Sequence, residues 1–488
     1  MAKAKTLTII GGGTSGWMTA AYISRRCRGA VQVRLIDKEV SVNVGVGEAL
    51  LLSFNDFMED MGYKMQEWFN YCECTLKAGI MFEGWGEDGK LIWHPFKFTY
   101  FAGLPLYDYW SKDQSQSLRD LQAQFKSTKN NRIEQSEIDK YAIHADCGLL
   151  TKFFATTNPQ VEYIKSDVTD VEWEGKNVKS ITLKDGRRIE SDIFVDCTGW
   201  KQLLGKHLTN IDTSDRLYLD TAVAGRIPFE DKQKEFYPYT NCEAVDHGWI
   251  WRIPTQSRLG SGLVFNRNIT PIDEAKEYLS KYWNGRIKPD DLKVLRWDPF
   301  VCEEQWVGNV IAVGLSAGFI EPLESTGIAL IVKAALNLYA AIYGGHWNQN
   351  DVRMFNAKMS YEYDICIDFV NMHYSYCRKS SSPFWDYVKE NYKKSELQEW
   401  MESQVLDTET MSFPEHKYGI FHGHNWNTWL YQLMPEIPAK TYDPMKFGVP
   451  QESIDKSVVE WKRELRKFYD ESIDHYEYIQ KGVREWHI

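Results

Sequence analysis

Short apolar runs at the start of the chain alternate with a glycine-rich turn and a stretch of helical periodicity. Thr6–Ile10 is apolar enough for a buried strand, Gly11–Gly16 is the turn, Trp17–Arg26 is the helical stretch, and Val31–Asp37 is a second strand. The glycines let the backbone approach a pyrophosphate, and the helix start offers amides and a partial positive charge. Asp37 ends the second strand twenty-one residues after Gly16, where a carboxylate accepts hydrogen bonds from a ribose. The segment therefore predicts a dinucleotide site.

Two later apolar strands extend this pattern. Ile193–Asp196 closes on Cys197-Thr198-Gly199, after short alternating strands from residue 160 with a turn at Lys184-Asp185-Gly186. A third run, Val310–Val313, closes on Gly314. The chain returns to one sheet with three separate strand segments, and long insertions lie between them. This arrangement favours FAD over NAD as the ligand. We therefore expect an α/β fold with a discontinuous, doubly wound FAD-binding module over residues 1–345, of the glutathione reductase and hydroxylase type, with an inserted β-sheet.

The C-terminal third has mostly helical periodicity. Apolar residues recur at helical spacing from Ile328 to Tyr339, and further helices are predicted over Asp364–Arg378 and Ser453–Gln480. A tryptophan-rich loop is expected at Asn425–Trp429. We predict that residues 346–488 form a mainly helical domain that caps the substrate.

Composition excludes some classes of function. The chain has 488 residues with 57 Lys plus Arg against 68 Asp plus Glu, so its net charge of −11 offers no broad cationic face for nucleic acid. Aromatic residues make up 14% and include 19 Trp, so rings are available to stack on a flat ligand. Nine cysteines, of which only Cys72 and Cys74 are close in sequence, form no metal signature, and we interpret them as reduced thiols of a cytoplasmic protein. The first strand starts too early for a signal peptide, and no uncharged apolar run of about 18 residues predicts a membrane span.

A second set of motifs points to the chemistry. Gly318–Gly327 places Glu324 one residue before a hydroxyl and a Thr-Gly turn, and Gly248–Pro254 contains W-x-W-x-I-P. Further motif segments are Gly11–Trp17, Val44–Ala49, the Lys77 segment, His94-Pro95-Phe96 and Asp196–Gly199. From residue 7 to about 385 these segments resemble, in their order, the flavin-dependent halogenases typified by tryptophan halogenases. The W-x-W-x-I-P motif is the specific signature, because the glycine loop is shared with most FAD enzymes.

The resemblance implies a reaction. Reduced FAD, oxygen and chloride or bromide give hypohalous acid, which travels through an internal tunnel to an aromatic substrate. The lysine that captures or positions this oxidant corresponds to Lys77, and the catalytic glutamate corresponds to Glu324. Considered alone, Lys77 would be a solvated residue of a strand over Thr75–Phe82, and Glu324 would compete with Glu321 or cap the helix that starts near Thr326. A buried amine, by contrast, forms a haloamine when neutral or donates a hydrogen bond to the oxidant when charged.

The resemblance also assigns binding residues. The halide site corresponds to Thr326 and Gly327, the positions that flank the substrate ring to His94 and Phe96, and the wall between flavin and substrate to Trp249 and Trp251. Core packing is the alternative role for each tryptophan. The implied FAD contacts are Gly11, Gly13, Thr14, Ser15, Gly16, Asp37, Ala49, Val168, Leu315 and Ile328. The segment Val40–Leu52 corresponds to the strap between the two sites.

One part of the family pattern is missing. Tryptophan halogenases hold the carboxylate and ammonium of tryptophan with paired tyrosines and a glutamate near the C terminus, whereas Tyr431 stands alone here. A free indole-like ring held mainly by stacking is therefore the expected substrate. Reduced FAD would come from a separate NADH-dependent flavin reductase that forms no stable complex with this chain. Whether the chain forms a homodimer is left open. Two alternatives remain: a FAD-dependent aromatic hydroxylase, and a catalytically decayed protein that binds only flavin and arene.

Overall fold

The computed structural model describes residues 5–39, 47–86, 91–98, 100–101, 104–105, 117–344, 347–375, 380–406, 419–433 and 448–481. The strands are β1 Lys5–Ile10, β2 Val31–Asp37, β3 Glu48–Ala49, β4 Thr75–Lys77, β5 Gly79–Glu83, β6 Leu91–Pro95, β7 Tyr100–Phe101, β8 Leu104–Pro105, β9 Arg132–Glu134, β10 Ala142–Ala145, β11 Glu162–Lys165, β12 Val168–Glu174, β13 Asn177–Leu183, β14 Arg188–Ile189, β15 Ile193–Asp196, β16 Asn210–Asp212, β17 Thr221–Ile227, β18 Thr240–Val245, β19 Gly248–Pro254, β20 Leu259–Phe265, β21 Lys293–Arg296, β22 Phe300–Cys302, β23 Trp306–Val307, β24 Val310–Ala312, β25 Gly318–Phe319 and β26 Ser472–Asp474. The helices are α1 Thr14–Cys27, α2 Leu52–Asp60, α3 Met65–Trp68, α4 Ala123–Lys129, α5 Cys147–Thr157, α6 Lys232–Glu235, α7 Ile272–Tyr282, α8 Thr326–Tyr343, α9 Gln349–Ser375, α10 Pro383–Asn391, α11 Glu396–Leu406, α12 Gly423–Leu433, α13 Gln451–Glu471 and α14 His475–Gln480.

The chain divides into two compact units, each built from three segments. The first unit comprises Met1–Cys74, Ala145–Asp220 and Arg296–Cys366. The second comprises Thr75–His144, Thr221–Leu295 and Ile367–Ile488. These segments do not follow the predicted boundary at residue 345, and the functional division into a FAD module and a substrate cap stays a prediction.

The first unit is organised around a six-stranded sheet with the order β11-β2-β1-β15-β24-β23. Strands β11, β2, β1, β15 and β24 are parallel, and β23 is antiparallel to β24. In chain order the five parallel strands have the spatial order 3-2-1-4-5 of a doubly wound dinucleotide-binding fold. The predicted α/β fold and the three returns to one sheet are therefore confirmed.

Helices α1 and α8 pack together in the first unit. Along α1 the residues from Gly16 to Ser24 are buried, and the Tyr22 ring stacks on Phe57 at 4.7 Å and meets the edge of Tyr339 at 5.8 Å. Helix α8 confirms the helix predicted from Ile328 onward. By length and composition alone α8 could also cross a membrane, with a mean hydropathy of 1.5. Since 56% of it is buried, its apolar character is explained by a place in the core of this unit.

The second unit contains a seven-stranded sheet with the order β21-β17-β20-β19-β18-β5-β6. Strands β18 and β5 are parallel, while β17, β20, β19 and β18 form an antiparallel series. One face of this sheet presents Val223, Ile250 and Leu263 to the buried residues Ala275 and Leu279 of α7. Because side chains alternate along a strand, Trp249 and Trp251 of β19 project from the other face.

Three local predictions were wrong. The segment Asn425–Trp429 lies inside helix α12 rather than in a loop, because every residue of Asn425–Leu433 is buried and the helix satisfies its backbone polar groups. The predicted helix Ser453–Gln480 is interrupted at Ser472–Asp474, which instead pair with β9. The predicted single strand Thr75–Phe82 is broken at Ala78, whose N–H donates to Pro238 O and whose carbonyl accepts from Phe96 N.

Candidate flavin and substrate sites

The glycine loop of the first unit lies at the point where the order of the parallel sheet reverses, between β1 and β15. Gly11 has φ +108°, and a Cβ there would lie 2.3 Å from Cys197 O, so only glycine allows the two strand ends to approach. A Cβ on Gly16 would lie 1.9 Å from Gly11 O. Gly13, by contrast, has no atom within 4 Å of its Cβ position. The loop is therefore closed towards the protein and open at Gly13, where a pyrophosphate would approach.

The side chains around the loop fit the rest of a dinucleotide. Asp37 Oδ2 accepts a hydrogen bond from Gly12 N, so the carboxylate lies beside the loop as predicted. Helix α1 begins after Gly13 with no side-chain cap, which leaves the amides of its first turn available to an anion. The Thr14 and Ser15 side chains are partly exposed at this turn. The predicted FAD contacts Gly11, Gly13, Thr14, Ser15, Gly16 and Asp37 thus occupy one continuous site.

Asp196 connects two strand ends of the same sheet. Its Oδ1 accepts from Thr198 N at 2.9 Å, from Thr198 Oγ1 at 2.7 Å and from Ser316 Oγ at 3.0 Å. Its Oδ2 accepts from Leu204 N at 2.7 Å. The carboxylate is fully buried, so four hydrogen bonds replace its hydration. Asp196 therefore holds the Asp-x-Thr-Gly turn against the segment after β24, which carries the predicted flavin contact Leu315.

Three further predicted contacts lie at the edges of this region. Leu315 is 36% exposed in a short 3-10 turn, beside Gly199, which has φ +67°. Val168, at the start of β12, packs against the buried cluster that includes Ile10 and Ile36. Ala49 is buried on the two-residue strand β3, while residues 40–46 of the predicted strap lie outside the described residues.

Glu48, next to Ala49, has an unusual ionisation that the sequence did not indicate. Burial, and then the charge of Asp146, raise the pKa of Glu48 to about 7. Asp146 is itself committed to capping α5, since its side chain accepts from Leu149 N at 3.0 Å. Glu48 is therefore a carboxyl group that exchanges a proton near neutral pH at the end of the predicted strap.

The segment that contains Glu324 forms a tight bend before helix α8. Glu324 is fully buried at the end of a 3-10 turn, and Ser325 has φ +61° in the left-handed region. The cap position of α8 belongs to Ser325, which makes no side-chain capping bond. Among the described residues, the Thr326 hydroxyl is buried without a hydrogen-bond partner, and a Cβ at Gly327 would meet no atom within 4 Å. Ile328 follows and is half-buried.

This bend has the properties of an anion site. The first amides of an 18-residue helix have no intrahelical acceptor, and an orphaned hydroxyl adds another donor beside them. The open space at Gly327 leaves room for a ligand at the same place. The predicted halide residues Thr326 and Gly327 therefore fit a small anion.

In the second unit Lys77 is fully buried, so the expectation of a solvated strand residue was wrong. Its Nζ lies 4.9 Å from the centroid of the Phe96 ring. Across the antiparallel pair of β4 and β10, Lys77 faces Ala142 and Thr75 faces His144, so these four side chains share one face. The pKa of His144 is well below its usual value because of burial first and the charge of Lys77 second.

The hydrogen bonds of His144 assign its tautomer. Thr75 Oγ1 donates its single proton to Pro254 O at 2.7 Å, so it can only accept from His144 Nδ1 at 3.0 Å. His144 Nε2 then accepts from Thr240 Oγ1 at 2.9 Å. The hydrogen bonds thus place a neutral imidazole at position 144, on the same sheet face as Lys77.

His94 and Phe96 lie on and just after the edge strand β6. His94 is buried, and its ring lies 5.6 Å from Phe369 and 6.4 Å from Phe421, which stack on each other at 4.2 Å. Its Nε2 lies 2.9 Å from Asn425 Nδ2 of α12. The second unit therefore brings together three predicted residues, because Phe96 contacts Lys77 and follows His94 by two positions.

Trp249 and Trp251, the predicted separators of flavin and substrate, lie two positions apart on β19. Both are buried, with ring centroids 6.1 Å apart. Gly262 lies opposite Trp251 in the ladder, and a Cβ there would lie 2.2 Å from the Trp251 ring. Trp251 therefore lies flat across a strand position that must lack a side chain.

The predicted residues fall into two groups. The flavin and halide residues, with Glu324, belong to the first unit, and Lys77, His94, Phe96, Trp249 and Trp251 belong to the second. Sequence reasoning missed His144, Asn425 and Gly262. Only Gly262 gave a signal, as a glycine within a strand pattern, which often marks the close approach of another group.

Comparison with known proteins agrees with this geometry. A family profile described as tryptophan halogenase matches residues 6–451. Tryptophan 6-halogenase ThaL of Streptomyces albogriseolus is 30% identical over 497 residues, which cover 91% of this chain and 93% of that protein. Tryptophan 7-halogenase RebH of Lentzea aerocolonigenes is 29% identical and covers 80% of this chain and 79% of its own length. The crystal structure of tryptophan 6-halogenase SttH from Streptomyces toxytricini superimposes with a TM-score of 0.87 at 25% identity, covering 98% of this chain and 99% of that one. The chain belongs to the tryptophan halogenase family of flavin-dependent enzymes.

Proposed function

We propose that this enzyme halogenates a free, indole-like aromatic substrate with hypohalous acid that is delivered to Lys77 and Glu324 through an internal tunnel. The observation that carries the proposal is the complete burial of Lys77 against the Phe96 ring, 4.9 Å from its centroid. Burial of an ammonium costs several kcal/mol, so it is rare without a functional reason. Capture of a small electrophile requires an amine that is shielded from water.

FAD would be held by the glycine loop, Asp37 and the first turn of α1. Reduced FAD, when bound, would activate oxygen so that halide is oxidised to hypohalous acid. Thr326 and Gly327 hold the halide through the first amides of α8 and the Thr326 hydroxyl. Trp249 and Trp251 exclude the substrate from the flavin as a rigid wall.

Lys77 orients the oxidant by donating a hydrogen bond, or bonds its halogen as a haloamine. The ring carbon of the substrate then forms a bond to halogen as the halogen–oxygen bond breaks and releases hydroxide. In the haloamine route the oxygen has already left as water, and the halogen–nitrogen bond breaks instead. Glu324 stabilises the cationic ring and accepts its proton, which completes the formation of water. The balanced reaction converts an arene and hypohalous acid into a haloarene and water.

The aromatic groups around His94 support the proposed substrate class. Its ring neighbours are Phe369 and Phe421, and Trp426 meets Phe369 edge to face at 5.3 Å. Such rings hold an arene by stacking. The relatives ThaL and RebH are named for tryptophan, and we extend their indole chemistry, but not their amino-acid recognition, to this chain.

Mass spectrometry after incubation with a flavin reductase, NADH, FAD, oxygen, bromide and a panel of indoles tests the proposal. We expect product with the paired isotope masses of one bromine, formed only when bromide is present. Methionine added as a scavenger of free oxidant should not remove the product, because the oxidant stays enclosed. Hydroxylated product containing labelled oxygen, without any halide requirement, would identify an aromatic hydroxylase instead.

A further inference from the structure

Asn425 makes the hydrogen bond that assigns the tautomer of His94. The side chain of Asn425 lies in the first turn of α12 and is buried. Its Oδ1 lies 3.0 Å from His422 N, and its Nδ2 lies 2.9 Å from His94 Nε2. A main-chain N–H can only donate, so the atom that faces His422 must be the amide oxygen. The NH₂ group therefore faces His94.

The tautomer of His94 follows from this orientation. An amide NH₂ can only donate, so His94 Nε2 must accept and carries no proton. The ring proton is then on Nδ1, and the imidazole is neutral. We propose that Asn425 is a positioning residue that holds His94 as the neutral Nδ1–H tautomer during arene halogenation, an inference that rests on the function proposed above.

A second amide on the same helix fixes the position of Asn425. Gln432 lies seven residues further along, which places it on the same face two turns away. Its Oε1 accepts from Trp93 N at 3.0 Å, and its Nε2 donates to Trp93 O at 2.9 Å. Helix α12 is thus attached to strand β6 at the residue before His94 as well as at His94 itself.

The neutral tautomer has a chemical consequence. Electrophilic halogenation gives the substrate ring a positive charge before the proton leaves, and an imidazolium that flanks the ring would oppose this charge. The charged or titratable residues directly adjacent in sequence to the ring and hydrogen-bond partners of His94 are Asp368, His422 and His424, and Lys97 lies three positions after His94. Burial lowers the pKa of His422, and burial lowers the pKa of His424 to about 4. Both shifts disfavour a positive charge on the two histidines beside His94.

The test compares ring nitrogen resonances in ¹⁵N-histidine-labelled enzyme. The His94→Gln variant identifies the signals of His94 among those of 11 histidines. We expect a protonated Nδ1 and an unprotonated Nε2 in the wild type. Asn425→Asp keeps the acceptor for His422 N but turns a carboxylate oxygen towards His94, so we expect both ring nitrogens to become protonated.

The matched control is Asn427→Asp, the same chemical change at a buried position two residues along the same helix and about 200° around it, which should leave the His94 tautomer unaltered. In turnover, Asn425→Asp should lower kcat about tenfold or more, while KM changes less. A wild-type spectrum with protonated Nε2, or an Asn425→Asp enzyme with the kcat of the wild type, would overturn the proposal. The tautomer is measured without turnover, so it decides the role of Asn425 even if no indole is halogenated.

Discussion

Replacement of Asp196 by Asn tests how the flavin-binding sheet is held together. The best orientation of the new amide keeps its oxygen towards Thr198 and Ser316 and turns its NH₂ towards Leu204 N, at the present distance of 2.7 Å. Two donors then face each other in a fully buried site. Loss of one hydrogen bond to a charged group costs about 1.5–3 kcal/mol, and the buried donors left without an acceptor cost about 1–3 kcal/mol more. We expect the free energy of unfolding to fall by about 3–5 kcal/mol.

Urea titration followed by circular dichroism measures this loss, and FAD titration of the same samples measures its effect on the site. Asp192→Asn is the matched control, because that exposed carboxylate also accepts two hydrogen bonds, from Thr6 N at 2.7 Å and Thr6 Oγ1 at 2.9 Å. It should lose less than about 1 kcal/mol, since both hydrogen bonds go to Oδ2, whose place the amide oxygen can take, and the NH₂ group is then hydrated. Equal losses in the two variants would refute the argument that buried donors make Asp196 the connection between the strand ends.

Three further changes separate stability from function. Thr326→Val removes a buried hydroxyl that has no hydrogen-bond partner among the described residues. The free energy of unfolding should therefore stay constant or rise by about 1 kcal/mol, while the KM for bromide rises. A loss of stability with an unchanged KM for bromide would contradict the halide role. Gly262→Ala places a methyl 2.2 Å from the Trp251 ring, and urea titration should show a loss of about 1–3 kcal/mol; unchanged stability would disprove this close packing. Burial lowers the pKa of His475 from 6.5 to about 4, so the unfolded chain binds a proton first and stability falls as the pH drops below 6.5. Between about pH 7 and 4.5 the wild type should lose about 2.4 kcal/mol more than His475→Gln in paired urea titrations, and parallel losses would exclude His475 as the cause.

The flavin half of the site could be predicted because it is built from residues that lie close together in the sequence. A strand, a glycine turn and a helix that follow each other must place the turn at the helix start, so Gly11, Gly13 and Asp37 were predictable from spacing. The helix of α8 was predictable for the same reason, since its apolar spacing is periodic. The same pattern could not show that Asp196 serves neighbouring backbone rather than the cofactor, because its partners Leu204 and Ser316 are eight and 120 residues away.

The substrate half depended on contacts between distant segments. Lys77 carries the charge of a surface residue, and only the fold shows that it is buried beside Phe96 and His144. Asn425 was placed in a loop because its tryptophan-rich neighbours obscured the helical period, and its hydrogen bond to His94 spans 331 residues. Periodicity cannot report a contact over that separation, so tautomers and buried charges had to be taken from the structure.

The role of the buried amine is tested most directly by Lys77→Ala, assayed for oxygen consumption and brominated indole in the same reaction. Removal of the amine leaves the glycine loop, Asp37 and the α8 amides intact, so oxygen and NADH should be consumed at the wild-type rate. Lys77→Arg is the matched control, because it keeps the charge but cannot form the same haloamine. We predict that Lys77→Ala consumes oxygen and yields no brominated indole. Brominated indole at the wild-type rate from Lys77→Ala would contradict the account.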